Sequence, residues 1–541
     1  MSTGMIALVA FGNQNRIFNG NPEVTKFYKS FQRYTHFSQE SITIPVDGPN
    51  QLTLSSPIRL RAKITRNADL MTDLTFVFQI PSIYSKLYDP DESGVYQTRP
   101  SFRWIHMLGA LIIDTVAIYV GGSKVQEFTG EWIAMRAAAD MPAEKYMKWR
   151  QMIGDTAELN EPEWGVYGHS PNYPYAKGEY PHVVPATGGS APSIVGREIR
   201  VPLPFWFSDS WGKALPLISL QLHEVEVQIT LRPLQEIYRV MDPTFQADPV
   251  RIGTLLTNNP AYPTSYDPTN PGANDNLTLQ SEYSTTEVDP RLFPNNFYTD
   301  YTAPVPTSYG FDLNPRLEGN YIYLTEKEQQ MFASRELQQL VHQVQNFNLL
   351  GISRRSLMEL DAHSLIHRVL FFARRNDAIV SRNDYLNLSN WKNLTQSPYI
   401  PIAGQPVPNS GVYSAYAQRD ILQSSRFLCA GNQLFEEKPA AYFELQNAYT
   451  NTTGAAALGP DGIKPNNVLG PYYHLPFCLD GSDHSQPSGS LNASRIREIQ
   501  LDVNPYAIDP NMPYAYDFTV YVESMNLVKF MNGMAGLAFA V

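Results

Sequence analysis

The sequence predicts an all-β protein built as two tandem eight-stranded jelly rolls, with short helices and long loop insertions. Its 541 residues include 42 prolines, 33 glycines and 12% aromatic residues. Proline interrupts helices and central strands, so this many prolines require many loops, whereas aromatic and β-branched residues favour pleated surfaces. Short strand patterns joined by long loops recur in both halves of the chain, and this arrangement favours jelly rolls over a meander.

The first half of the chain carries the clearest strand pattern. Val225, Val227, Ile229 and Leu231 alternate with polar residues, which predicts a strand with one buried face. The other predicted strands of this half are 41–46, 59–64, 74–80, 110–120, 124–128, 198–201, 215–220 and 321–324.

Two long insertions are predicted in the same half, at 160–195 and 236–311. The second contains ten prolines and shows little periodicity. The first jelly roll is predicted over 27–325, behind an N-terminal arm of residues 1–26. The aromatic residues that continue the arm to about residue 40 are expected to pack on its own domain or on a neighbouring subunit.

Helices are predicted at two places. Thr129 is a candidate N-cap for a helical segment over 131–152, which Pro142 should divide into two short helices. Thr325 and Glu328 have the spacing of a capping box, and a linker helix is predicted over 326–339. The second jelly roll is predicted over 340–541, with strands at 341–347, 366–373, 441–445, 496–503 and 518–523.

Charge and hydropathy exclude several classes of protein. The net charge is −11, from 41 basic and 52 acidic residues, whereas a protein that coats nucleic acid needs clustered Lys and Arg. The pairs Arg354–Arg355 and Arg374–Arg375 are expected to be solvated loop charges or ion-pair partners. No apolar run is long enough for a transmembrane helix, and the N-terminus lacks the basic region of a signal peptide.

The two cysteines, Cys429 and Cys478, do not make a disulfide framework. Buried free thiols in a reducing compartment are the simpler interpretation. A single bridge between the two cysteines stays open at this point.

Motifs for catalysis or metal binding are absent or incomplete. The segment at His223 begins like a zinc-protease helix, but Val227 stands where the second histidine is needed. His363 and His367 are four residues apart in a predicted strand, where this spacing does not give a shared helix face. The turn at Gly121 lacks the spacing of a phosphate-binding loop. The sequence therefore predicts no catalytic, cofactor-binding or metal-binding residue.

Five blocks between residues 6 and 539 carry a resemblance to a known family. They are Ile6–Gly12 with Gly20–Phe27, Leu203–Phe207 with Ala214–Val225, Tyr321–Leu324 with Glu328–Phe332, Gln486–Ile496, and Asn532–Phe539. In this order they resemble the major capsid proteins of nucleocytoplasmic large DNA viruses, the double jelly-roll family.

The resemblance implies a structural shell protein that is not an enzyme and uses no cofactor. It implies a homotrimer of six similar wedges, which forms a pseudo-hexagonal capsomer that tiles the icosahedral shell of a large double-stranded DNA virus. Expected partners are neighbouring capsomers, minor capsid proteins and penton proteins, with inner membrane proteins reached through other components and no direct nucleic acid. The expected location is the capsid of the virion, after synthesis in the host cytoplasm.

Five asparagines stand in Asn-x-Ser/Thr sequons: Asn276, Asn387, Asn393, Asn451 and Asn492. Glycosylation by the secretory pathway is not expected without a signal peptide. The resemblance leaves open sugar addition by another route, and Asn276 in the long insertion is the candidate for it.

Two alternatives of other classes remain at this point. The Tyr- and Trp-containing insertions suit a carbohydrate-binding or adhesive β-sandwich protein at a surface, which would stack sugars on aromatic faces. A β-sandwich glycosidase would need two carboxylates at a fixed separation, which a sequence does not reveal.

Overall fold

Two β-sandwiches follow one another along the chain. The computed structural model describes residues 2–29, 31–85, 101–160, 162, 180–181, 191–241, 287–288, 297–299, 310–380, 383–388, 421–454, 471–508 and 514–539. Most of the two predicted insertions, 160–195 and 236–311, lies outside these residues.

Eight strands form the first sandwich. They are β1 (Ser38–Pro45), β2 (Ile58–Ile64), β3 (Leu70–Ile80), β4 (Ile113–Val120), β5 (Ser123–Thr129), β6 (Arg197–Pro202), β7 (Val225–Leu231) and β8 (Arg316–Tyr323). One sheet has the order β1-β8-β3-β6 and the other the order β2-β7-β4-β5, with antiparallel neighbours.

Eight further strands form the second sandwich. They are β9 (Leu337–Ile352), β10 (Ser356–Glu359), β11 (Leu365–Arg375), β12 (Leu422–Cys429), β13 (Asn432–Pro439), β14 (Tyr473–Pro476), β15 (Ile499–Pro505) and β16 (Tyr516–Met531). The sheet orders are β9-β16-β11-β14 and β10-β15-β12-β13. This is the order of the first sandwich with every number raised by eight, and it is the jelly-roll connection in both cases. The predicted fold is confirmed.

Nine α-helices lie before and between these strands in the part of the chain that the structure describes. They are α1 (Thr3–Val9), α2 (Asn13–Asn19), α3 (Leu108–Leu111), α4 (Gly130–Asp140), α5 (Ala143–Met152), α6 (Ala157–Asn160), α7 (Glu326–Ser334), α8 (Asp377–Val380) and α9 (Asn447–Asn451). Within the same residues, none of the helices has the length and apolar character needed to span a membrane.

Short strands and single helical turns complete the described structure. The strands are Gln51–Leu52, Tyr84–Ser85, Ser101–Trp104, Leu215–Pro216, Tyr238–Met241, Glu287–Val288, Phe297–Tyr298, Phe311–Asp312, Leu491–Asn492 and Met534–Leu537. The turns of 3-10 helix are Trp206–Ser208, Trp211–Lys213, Leu217–Ser219, Leu234–Glu236 and Ala493–Arg495.

Local sequence explains the helical segment between β5 and β6. The Thr129 hydroxyl accepts a hydrogen bond from the Trp132 backbone N–H, so Thr129 is the N-cap of α4 as predicted. Pro142 separates α4 from α5 because it cannot donate a backbone hydrogen bond within a helix. The predicted division into two helices is confirmed.

Four predicted elements need correction. The segment 110–120 begins in α3, and its strand starts only at Ile113. The segment 215–220 forms a two-residue strand and then a 3-10 turn. The segment 441–445 is a π-helix, Tyr442–Gln446. The helix predicted to reach residue 339 ends at Ser334, because β9 already begins at Leu337. Short apolar runs satisfy helix and strand patterns equally well, which explains the first three errors.

Candidate functional site

The hydrophobic core of the first sandwich continues into the second. The main cluster of buried side chains contains both sheets of the first sandwich and reaches into the second sandwich. The residues that the second sandwich contributes to it are Val341, Leu370, Phe372, Tyr385, Leu386, Leu388, Tyr472, Tyr521, Val528, Phe530 and Ala535. We call this contact the seam. The second sandwich also has a core of its own between its two sheets.

Side-chain amides of the buried Gln126 and the half-buried Gln339 join the two backbones across the seam. The Gln126 side chain on β5 donates to the His342 carbonyl on β9 at 2.8 Å and accepts from the Trp206 backbone N–H at 3.2 Å. The Gln339 side chain accepts from the Trp206 indole N–H at 2.9 Å and donates to the Ala214 carbonyl at 2.8 Å. These bonds satisfy polar groups that would otherwise be buried without partners.

A buried ion network lies at the centre of the seam. Arg368 and Glu523 face each other on β11 and β16, and the Arg368 Nε lies 2.7 Å from Glu523 Oε2. The same guanidinium donates to both carboxylate oxygens of Asp140 on α4, at 2.6 and 2.8 Å. The Trp132 indole N–H, also on α4, donates to Glu523 Oε1 at 2.8 Å. One arginine and one glutamate of the second sandwich are thus bonded to α4 of the first.

The network keeps both carboxylates ionised. Burial acts to raise the pKa of Asp140, but the charge of Arg368 and a hydrogen bond from His484 outweigh it and hold the pKa well below its ordinary value. Burial acts in the same direction on Glu523, and the Arg368 charge again lowers its pKa. Buried charges in this arrangement stabilise the fold only while every partner is present.

A second ion network crosses the seam beside the first. Arg374 Nη1 on β11 lies 3.0 Å from Glu131 Oε2 on α4, and Arg232 Nη2 lies 3.4 Å from Glu131 Oε1. Arg375 pairs with Asp377 at 2.6 Å. Arg374 and Arg375 are therefore ion-pair partners at the end of a buried strand, which is the second of the two alternatives expected for them.

Three histidines form a buried cluster next to these networks. The ring centroids of His342 and His484 are 4.6 Å apart, those of His342 and His367 are 5.3 Å apart, and those of His367 and His484 are 6.3 Å apart. The Cys478 Sγ lies 3.5 Å from His367 Nε2. No three His, Cys, Asp or Glu side chains converge as metal ligands anywhere in the described residues.

The N-terminal segment, residues 2–37, contrasts with the buried seam. Each of its described residues is exposed, and its hydrogen bonds join residues of the segment to one another. Thirteen large apolar side chains of the segment are 48–99% exposed: Met5, Ile6, Leu8, Val9, Phe11, Ile17, Phe18, Val24, Phe27, Tyr28, Phe31, Tyr34 and Phe37. Exposed apolar surface of this kind marks an interaction site.

The residues singled out from the sequence fall at different places. Asn276 and Asn393 lie outside the described residues, Asn387 and Asn451 are half-buried, and Asn492 is exposed. The two cysteines are free thiols, so a bridge between them is excluded.

The three histidines of the rejected motifs also lie at separate places in the structure. The His223 motif lies at the start of strand β7. The side chain of His363 is 55% exposed, whereas His367 is fully buried, so the structure does not bring these two together.

Sequence reasoning missed the seam network. A signal was present, because Arg368 and Glu523 are charged residues inside otherwise apolar strand patterns, 366–373 and 518–523. A charge in such a position is almost always paired. The partner on α4 could not have been identified, since it lies more than two hundred residues away along the chain.

The fold defines a class, the double jelly-roll proteins. Two family models match the chain in tandem: the major capsid protein N-terminus over residues 25–261 and the large eukaryotic DNA virus major capsid protein over residues 328–536. The chain belongs to this family of major capsid proteins. It is a structural protein and not an enzyme, which decides against the glycosidase alternative.

Relatives along the whole chain agree with this assignment. The major capsid protein of Phaeocystis pouchetii virus is 24% identical, with 100% of both chains covered. Probable capsid protein 4 of Acanthamoeba polyphaga mimivirus is 22% identical, with 100% of this chain and 99% of the relative covered. Among solved structures, the Faustovirus major capsid protein superposes with a TM-score of 0.58 at 13% identity, over 98% of this chain and 96% of that one.

Proposed function

We propose that three copies of the chain assemble into a pseudo-hexagonal capsomer, and that these capsomers tile the icosahedral shell of a large double-stranded DNA virus. The observation that carries the proposal is the repetition of one strand order in two sandwiches that share a core. Three such chains supply six similar wedges, so a threefold particle presents an almost sixfold outline to its neighbours.

The exposed N-terminal segment supports self-association. Its thirteen exposed apolar side chains are available for packing on another surface, and a neighbouring subunit supplies such a surface in a shell. The segment contains the basic residues Arg16, Lys26, Lys29 and Arg33 and one acidic residue, Glu23, whereas the whole chain is acidic at −11. Opposite charge therefore favours contact between the segment and the body of another copy.

The remaining assignments follow from the same proposal. The chain acts in the capsid of the virion after synthesis in the host cytoplasm. Its partners are other copies of itself, minor capsid proteins and penton proteins, and it meets inner membrane proteins through other components. It makes no direct contact with nucleic acid. The carbohydrate-binding alternative rests on insertions that lie mostly outside the described residues, and no described residue favours it.

Light scattering coupled to size-exclusion chromatography tests the trimer. We expect a mass of three times 61.0 kDa and, by electron microscopy, particles with a hexagonal outline and threefold symmetry. A chain lacking residues 2–37 should remain folded but associate more weakly. A purely monomeric full-length chain under assembly conditions would contradict the proposal.

Modification of Asn276 stays a prediction. Peptide mass spectrometry of protein from virions tests it, since a glycan on the peptide that contains Asn276 would establish the modification. An unmodified peptide would remove the prediction without touching the proposed assembly.

A further inference from the structure

The three seam histidines are buried where the two sandwiches meet. His342, His367 and His484 are at most 6% exposed. The Lys213 ammonium of the first sandwich donates to the His484 carbonyl, and His342 Nε2 lies 3.3 Å from the same oxygen. The cluster is therefore bonded directly to the first sandwich, and the protonation of its rings affects the seam.

His342 has no place for a second proton. Its Nε2 atom donates to the His484 carbonyl, so Nδ1 is the atom that would be protonated. Nδ1 is buried and has no hydrogen-bond partner. A proton there would create a buried cation with an unsatisfied N–H, which is costly.

Among the described residues, the buried charges around the cluster are already matched in sign. Three buried cations, Arg136, Lys213 and Arg368, are matched by three carboxylates, Asp140, Asp209 and Glu523. The other titratable groups near the cluster are Cys478, Asp480, Asp483 and His484 in the loop after β14, and His474 on β14. Asp480 and Asp483 accept hydrogen bonds from backbone N–H groups of that same loop. His484 already has a partner, since its Nε2 lies 2.9 Å from Asp140 Oδ2. Protons on His342 and His367 would therefore be uncompensated.

We infer that this cluster is an acid-sensitive latch between the two sandwiches. At neutral pH the uncharged rings pack together and hold the loop after β14 against α4. In acid, positive charge on His342 and His367 faces Lys213, Arg136 and Arg368, and the seam opens. A cleft of about 630 Å³ lined by His484, Asp140, Arg136 and Asp209 gives solvent a route to the cluster.

The direction of the effect follows from the titration of the rings. Burial, with the nearby positive groups, lowers the pKa of His342 well below its ordinary value, and burial with Arg368 lowers that of His367. The unfolded or opened chain therefore binds more protons than the closed chain once the pH falls below about 6.5. Closure is fully favoured above that pH and weakens progressively below it.

Hydrogen exchange on the full chain at about pH 7.5 and about pH 5.5 tests the latch. After correction for intrinsic rates, we expect protection of β9 and of residues 477–485 to fall by about tenfold or more in acid. Protection of β2 and β7, which lie away from the cluster, should change much less. Equal protection of the seam at both pH values would overturn the inference.

A matched pair of variants locates the effect. His342→Gln keeps a donor toward the His484 carbonyl but does not titrate, so its seam should lose clearly less protection in acid than that of the wild type, with His367 as the remaining titrating ring. His363→Gln changes a histidine of the same sandwich whose side chain is 55% exposed, and it should behave as the wild type. Loss of protection in His342→Gln equal to that of the wild type would refute the role of His342. If this variant does not fold at neutral pH, the wild-type comparison decides alone, and neither result depends on whether the chain is a trimer.

Discussion

The Arg368 guanidinium of the second sandwich forms two parallel hydrogen bonds with the Asp140 carboxylate of the first, at 2.6 and 2.8 Å. The side chain of Arg368 is fully buried and that of Asp140 is 11% exposed. A bidentate arginine–carboxylate pair of this kind is strong and has a defined geometry. Residues 228 positions apart in the chain thereby fix the orientation of one sandwich against the other.

Asp140→Asn is expected to destabilise the chain by about 3 kcal/mol, because it leaves Arg368 with one charged partner instead of two in a buried site. Chemical denaturation at neutral pH measures the loss. Lys63→Met is the matched control, since it breaks a pair with Glu224 in which the side chains are 57% and 68% exposed, and it should cost less than about 1 kcal/mol. Equal losses in the two variants would show that the buried pair adds nothing beyond a surface pair.

Trp132→Phe should cost about 1 kcal/mol more than Trp206→Phe. Both indoles are buried and both replacements remove the same volume and one hydrogen bond, so the difference reports the relative strength of the two lost hydrogen bonds. The Trp132 N–H donates to the Glu523 carboxylate at 2.8 Å, whereas the Trp206 N–H donates to the neutral Gln339 amide at 2.9 Å. Bonds to charged acceptors are the stronger ones. Equal melting temperatures for the two variants would contradict this ranking.

Gly454→Ala is expected to open the seam, because the new Cβ would lie 2.2 Å from the Ala139 carbonyl oxygen and 2.3 Å from that of Ala138. Gly454 also donates its backbone N–H to Ala139 at 2.8 Å, so the two backbones cannot separate without losing this bond. A loss of about 1–3 kcal/mol is typical of such overpacking. Gly212→Ala, where nothing lies within 4 Å, should melt like the wild type, and similar melting of both variants would reject the steric argument.

Asp155 should make the first sandwich acid-labile at low pH. Burial acts to raise its pKa, but the hydrogen bond with His106 and the charge of Arg150 outweigh it and hold the pKa at about 2. The carboxylate thus contributes stability that is complete above the ordinary pKa of 3.8 and disappears as the pH falls toward 2.

Asp155→Asn is therefore expected to cost about 2 kcal/mol at neutral pH and to remove this part of the pH dependence. Thermal melts between neutral pH and about pH 2 give the comparison. Asp361→Asn, at a side chain that is 88% exposed, is the control and should keep the wild-type profile. A profile for Asp155→Asn that parallels the wild type throughout would count against the assignment.

Strands with one buried face were predictable from the sequence. In β2 and β7, buried residues alternate with more exposed ones at every position, so period two identifies both strands. The conformations of Leu215–Leu220 and Ala441–Leu445 were not predictable from the sequence, because a short apolar run does not distinguish a strand from a helical turn. There the surrounding tertiary structure decided the local conformation.

The seam was beyond sequence reasoning for a different reason. Arg368 and Glu523 could have been suspected, since each is a charge within an apolar strand. Their partner Asp140 lies at the end of a helix, where an acidic residue has an ordinary solvated interpretation. Only the arrangement of the two sandwiches brings it into a buried site, and local patterns contain no information on that arrangement.

The continuous core that joins the two sandwiches has a mechanical consequence. Side chains of both sandwiches interlock in one packed cluster, and packed interiors resist compression and shear. The chain therefore behaves as one stiff body at neutral pH instead of two bodies on a hinge. Any bending of an assembly made from such chains has to take place at the contacts between copies, so its elasticity is a property of those contacts and not of the fold.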